Sequence, residues 1–164
     1  MGTRSMKPKN IFIAATVAAI AVAGYLYFQN GAFAGPPLQP ERVDLDRGKT
    51  LYAQTCAACH GANLEGQENW QSQGSGETPP APPHDETGHT WHHGDALLFT
   101  YTKLGGEAAL AQKGIEFTSG MPGFGEMLTD QEIWDILAFI KSTWSDRIRE
   151  VQAVRTEAEQ LRGN

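Results

Sequence analysis

Cys56-Ala57-Ala58-Cys59-His60 is the stretch on which the reading of this chain turns. Two thiols separated by two residues, with an imidazole immediately after them, have the spacing of a c-type haem attachment site. Each thiol can add to one vinyl group of a single porphyrin, and the histidine is carried beneath the iron as proximal ligand. Two other chemistries share the dithiol half of the pattern. A zinc site needs two further Cys or His ligands at short spacing, and a redox dithiol belongs near a βαβ pattern; the sequence offers neither. Haem attachment uses both cysteines of the chain, so no disulfide is left and the porphyrin becomes the covalent staple.

Working outward towards the amino terminus, Arg4, Lys7 and Lys9 precede a run from Ile11 to Phe28, 18 residues without a charge. As a helix this run would be roughly 27 Å long, close to the hydrocarbon thickness of a bilayer. Tyr25, Tyr27 and Phe28 close it with residues favoured at a membrane surface. The basic residues should stay cytoplasmic under the positive-inside rule, which puts the rest of the chain outside. Residues 1–10 therefore read as a cytoplasmic basic segment and 11–28 as a transmembrane anchor or uncleaved signal. Ala32-Phe33-Ala34 offers a signal-peptidase site after Ala34, but the run is longer than an ordinary signal core, which favours retention. Both outcomes give the same compartment. A buried core helix is the weaker alternative, because the segment has no polar face. Residues 29–43, with Gly35-Pro36-Pro37 and Pro40, read as a stiff tether.

The charge is unevenly placed. Three of the 13 basic residues precede the apolar run and all 19 acidic residues follow it, so the exported part holds 10 basic against 19 acidic residues, a net −9. That sign argues against docking to nucleic acid, and a redox partner with a basic docking face fits it. A simply solvated acidic surface is the bland alternative.

The exported part reads as one all-α domain over 44–145, with a charged helical extension over 146–164. Asp44 is a candidate N-cap for a helix to about Thr55, with Leu45, Gly48, Leu51 and Tyr52 at helical intervals. Gly61 to Pro83 is loop, broken by Gly-Ser-Gly and Pro-Pro-Ala-Pro-Pro. A second helix spans Asp95–Leu104, capped by Asp95 and stopped by Gly105-Gly106, with Leu97, Leu98, Tyr101 and Leu104 as its buried face. The clearest helix begins at Thr129, where Thr129 to Glu132 fits a capping box and Leu128 with Ile133 a hydrophobic staple. Its stripe of Ile133, Ile136, Leu137, Ile140 and Trp144 should pack across the first helix where Gly48 permits close approach. No alternating strand pattern competes. After Trp144, Ile148, Val151, Val154 and Leu161 make a thin stripe, either a docking helix for a partner subunit or, as favoured here, a solvated and partly frayed extension.

What the iron can do depends on its sixth ligand. Met1 and Met6 lie on the wrong side of the anchor, leaving Met121 and Met127. Met121 sits in Ser119-Gly120-Met121-Pro122-Gly123-Phe124-Gly125, whose glycines and proline suit a loop holding a side chain over a cofactor. Met127, two residues before the Thr129 cap, is expected to pack at the helix entry. A thioether favours Fe(II), raises the potential and closes the iron to oxygen and peroxide, which implies electron transfer and no catalytic residues. His84, His89, His92 and His93 are a rival source of chemistry, able to bind Cu or Zn or to supply a second haem imidazole. Surface or capping roles are commoner for such histidines, and Trp91 among them reads as a haem-packing or propionate-bonding aromatic.

With Gly48-x-x-x-Tyr52, Cys56 to His60, Met121-Pro122-x-Phe124 and a capped last helix containing Trp134 and Phe139, the chain resembles the class I c-type cytochromes from about Asp44 to Trp144. It looks closest to small, single-haem, membrane-associated bacterial members. The resemblance implies an all-α fold round one covalent haem c, thioether bonds at Cys56 and Cys59, and iron ligands at His60 and Met121. It also implies a proline carbonyl that orients the proximal imidazole, which Pro82 or Pro83 would supply. The long loop from Gln67 to His93, its histidines and the extension after Trp144 depart from the family pattern. The expected role is electron transfer on the periplasmic side of the inner membrane, between respiratory or photosynthetic partners. The alternatives are a fixed haem subunit of a larger respiratory complex and an enzyme or gas sensor with an open iron site.

Overall fold

Six α-helices and one 3-10 turn (Thr90–His92), with no strand among the described residues, make up the carboxy-terminal part of the chain. The computed structural model describes residues 22–23, 36–72 and 78–163. The chain divides at Gly35, and Pro36–Asn164 is one compact unit. The anchor read over 11–28 lies, apart from 22–23, outside the described residues; among those described, no helix is long and apolar enough to cross a membrane.

Helix α1 (Leu45–Thr55) starts where expected, the Asp44 carboxylate accepting from the Arg47 amide at 2.9 Å. Helix α5 (Asp130–Ser142) starts with both halves of its capping box formed. The two helices cross at Gly48, where an added methyl would overlap the carbonyl oxygen of Asp135. That close approach is what the missing side chain permits. Asp135 is itself buried, and its carboxylate accepts from the Asp44 amide at 3.0 Å and from Gln131 Nε2 at 2.9 Å, so the cap of α1 is tied to the middle of α5. Ile133, Ile136, Leu137, Ile140 and Trp144 are all buried, as the stripe predicted. Each such side chain contributes roughly 1.5–3 kcal/mol by leaving water. Phe99 stacks on Trp134 at 4.6 Å between ring centroids, carrying the core onto α3 (Asp95–Leu104).

Three expectations are corrected here. The N-cap of α3 is Gly94, not Asp95; Asp95 is buried, bonded to Lys141 Nζ and Gln152 Nε2, both at 2.8 Å. The buried residues of α3 are Asp95, Phe99 and Thr102 rather than the anticipated leucine face, and Leu104 is exposed. The chain does break at Gly105 (φ +87°), a left-handed position that disfavours any side chain, but helix resumes at once as α4 (Gly106–Ala111).

The carboxy-terminal helix α6 (Asp146–Gly163) is neither frayed nor detached. It turns back at Thr143–Ser145 and lays its polar side on the start of α3. Thr156 Oγ1 accepts from the Asp95 amide at 3.1 Å, and Glu159 Oε2 accepts from the amides of Ala96 and Leu97 at 3.2 and 3.4 Å. These are the amides a helix leaves unpaired at its first turn, and the negative charge of Glu159 suits the positive end of the helix. The apolar spacing in α6 holds only at its start, where Ile148 packs against the core and Val151 is half-buried; further along, Gln152, Thr156 and Glu159 make the docked side, and Val154 and Leu161 are exposed.

Candidate functional site

Helix α1, which leads to the cysteines, ends at Thr55, and one further helical turn, α2 (Ala57–His60), follows Cys56. Within it the amides of Cys59 and His60 both donate to the Cys56 carbonyl, at 3.1 and 2.9 Å, which fixes the two thiols and the imidazole on one turn. Gly61, at φ +83°, ends that turn, and its carbonyl accepts from the buried Tyr52 hydroxyl at 2.8 Å. Cys56 is buried, Cys59 exposed, and both thiols are free. Burial pushes the Cys56 thiol up, with the Thr55 hydroxyl acting against it.

His60 is buried, and its Nδ1 lies 2.8 Å from the carbonyl oxygen of Pro82. A carbonyl can only accept, so Nδ1 carries the proton and the lone pair is left on Nε2. The choice left open between Pro82 and Pro83 therefore falls to Pro82. Burial lowers the pKa of the imidazole, which the bond to Pro82 opposes, so a neutral ring is favoured near neutral pH.

The loop that brings Pro82 there is held by one local and one longer-range backbone bond. The Gly66 amide donates to the His60 carbonyl at 2.8 Å, and the His84 amide to the Leu64 carbonyl at 2.8 Å. Leu64 is buried at φ +67°, a conformation a leucine rarely takes. Trp144 Nε1 donates to the His84 carbonyl at 2.7 Å, pinning the loop to the end of α5.

Met121 sits in a turn stitched along the end of α3. Its carbonyl accepts from the Gly106 amide at 3.1 Å, its amide donates to Ser119 Oγ at 3.2 Å, and the amides of Phe124 and Gly125 donate to the carbonyls of Thr102 and Lys103 at 3.0 and 2.9 Å. Its partly buried side chain packs against the same apolar cluster that contains Cys56, Leu64, Phe99 and Phe124. Met127, expected to pack at the helix entry, is instead 67 % exposed. Of the two candidate methionines, Met121 is thus the one that packs against the cluster containing Cys56.

The donor set suits a c-type haem: two unpaired thiols on one turn, a buried imidazole with Nε2 available, and a thioether bordering the same apolar cluster. The cytochrome c family model matches residues 45–144, more than half of the chain. The chain belongs to the cytochrome c family. Its all-α fold, its covalent haem c and its role in electron transfer follow from that membership. Among curated relatives, this cytochrome is similar to the gluconate 2-dehydrogenase cytochrome c subunit of Pantoea cypripedii, 29% identical over 110 residues that cover 63% of this chain and 21% of the relative. The match thus spans about a fifth of that relative's length. No solved structure matches.

The histidine-rich stretch divides. No group of three or more possible metal ligands occurs among the described residues. His89 and His93 meet edge to face at 5.5 Å, with Trp70 stacked on His89 at 5.4 Å, and His92 lies against Trp91 at 3.6 Å. Trp91 Nε1 donates to the Glu86 carbonyl at 3.3 Å, so its N–H has a partner within the protein. His84, read as a surface or capping residue, is the one sequence reasoning missed: it lies inward, its ring stacked on that of His60 at 4.0 Å with 23° between planes. The available signal was the Pro82-Pro83-His84 order, since two prolines hold the chain extended and keep His84 within two residues of the orienting carbonyl.

Proposed function

We propose that this cytochrome is a single-electron carrier tethered by residues 11–28 to the outer face of a bacterial inner membrane, with its haem domain in the periplasm. Cys56 and Cys59 would carry the thioether bonds of the haem, and His60 and Met121 would ligate its iron. The observation that carries the reading is the Pro82 carbonyl on His60 Nδ1, because it commits the tautomer that leaves Nε2 to bind iron and makes that nitrogen more electron-rich. When bound, the haem supplies a one-electron Fe(III)/Fe(II) couple. Met121 contributes a soft, neutral donor that favours the reduced state and excludes small ligands. The apolar cluster round Cys56 and Phe124 keeps water from that side of the site. The acidic exported domain favours partners with a basic docking face, between respiratory or photosynthetic donors and acceptors.

The test is spectroscopic. The purified protein should carry colour and added porphyrin mass that survive acid-acetone extraction. The methionine-to-iron charge-transfer band of the ferric form should vanish in Met121→Ala and persist in Met127→Ala. Rapid binding of CO or cyanide by the unaltered protein at neutral pH would refute the closed site and support an enzyme or sensor. Mass of the membrane-extracted chain decides whether the segment up to Ala34 is kept.

A second reading, a fixed haem subunit of a larger redox complex, is favoured by the relative from Pantoea cypripedii, a cytochrome subunit of a dehydrogenase. The docked position of α6 removes one argument for it, since the polar side of that helix is occupied within its own domain. Constant co-purification with a dehydrogenase in mild detergent would establish the subunit reading, and isolation of the chain alone would oppose it.

A further inference from the structure

We propose that His84 is a positioning residue for the His60 imidazole, a flat, anchored wall that sets the rotation of that ring about its Cβ–Cγ bond. The proposal rests on the reading of His60 as an iron ligand. A single hydrogen bond at Nδ1 still tolerates rocking of an imidazole about its Cβ–Cγ bond, within the broad angular range over which such a bond survives. A second ring lying 4.0 Å away and within 23° of parallel removes that freedom, because any rotation drives one edge into the neighbour.

His84 is itself held on several sides. Its Nδ1 lies 2.8 Å from Thr90 Oγ1, and Thr90 is buried. Its amide is bonded to Leu64 and its carbonyl to Trp144. The ring of Tyr52 meets it edge-on at 6.3 Å, and Tyr52 is among the most deeply buried side chains of the protein. Leu64 keeps a left-handed backbone to offer the carbonyl that receives the His84 amide. Strain of this sort persists where surrounding structure over-determines it, and it gathers at functional sites. Pro82 and His84 therefore act as a pair from one rigid segment, the first fixing the tautomer of His60 and the second its plane.

The plane of an axial imidazole sets the direction of the magnetic axes of a ferric low-spin haem, and with it the order of the haem methyl resonances. In the haem-loaded protein, His84→Ala is expected to reorder those resonances and broaden their spread. His84→Phe, which restores a flat ring, should return them towards the original order, whereas His84→Leu, which fills space without a flat face, should not. Thr90→Val should shift them in the same sense as His84→Ala and less far. An unchanged order in His84→Leu, with covalent haem and a low-spin iron intact, overturns the proposal, and it does so even where His84→Ala fails to accumulate. Failure of the underlying reading looks different: there the low-spin spectrum of the parent would survive His60→Ala.

Discussion

The Cys56–His60 turn joins α1, which crosses α5, to the loop between Gly61 and Gly94, and the crossing and the loop are held in opposite ways. At the crossing, apolar side chains recur on one face of each helix and the closest backbone approach is marked by a glycine. In the loop there is no apolar period, and order comes from bonds between residues far apart in sequence: His84 to Leu64, Trp144 to His84 and His60 to Pro82. The first region resists through buried area, the second through satisfied polar groups, so they should fail differently when altered.

The largest effect is expected at the crossing. Ile136→Ala empties a fully buried position and should cost about 2–5 kcal/mol in global stability, read by denaturant unfolding of the haem-loaded protein. A smaller loss, or one confined to local opening, would mean the crossing is less central than its burial implies. Gly48→Ala should follow at about 1–3 kcal/mol, because the new methyl has only backbone of Asp135 and Ile136 to push against.

The loop should respond locally. Trp144→Phe keeps most of the buried ring but leaves the His84 carbonyl without its donor, at about 1–2 kcal/mol. Hydrogen exchange at the His84 amide should quicken more than exchange within α5, whereas equal acceleration in both would erase the distinction drawn here.

The smallest effect concerns a helix end. Thr129→Ala removes the cap of α5 and should cost about 1 kcal/mol. It also bears on pH. Bonds from the Thr129 amide and hydroxyl, then Arg47, lower Glu132 from its ordinary 4.5 to about 2. A carboxyl depressed on folding stabilises the native state above its unfolded pKa, and that contribution is lost as pH falls from about 4.5 to about 2. Thr129→Ala, which removes the hydroxyl and keeps the amide, should partly flatten the stability profile in that window, and an unaltered slope would mean that the backbone amide and Arg47 hold the carboxylate without the hydroxyl.

How much of this was legible beforehand follows the same division. Asp44, Thr129, Glu132 and the Ile133 to Trp144 stripe could be read directly, because capping and apolar periodicity are local in sequence. Leu97 and Tyr101 were assigned to the buried face of α3 on spacing alone, but α3 is gripped at its start by α6 and stacked on Trp134 through Phe99, so burial follows its neighbours rather than its own period. Asp95 read as a cap because its carboxylate stands at a helix start; Lys141 and Gln152, 46 and 57 residues away, claim it instead.

By itself the sequence determined the chemistry: two thiols and an imidazole on one helical turn can hold one porphyrin, since thioether bonding and ligation need only atoms close together in the chain. Which carbonyl turns that imidazole, which of two methionines borders the core, and that His84 lies against His60 were decided by the tertiary structure alone. Each of those depends on a loop without internal periodicity finding partners dozens of residues away, and nothing local in sequence encodes the distance.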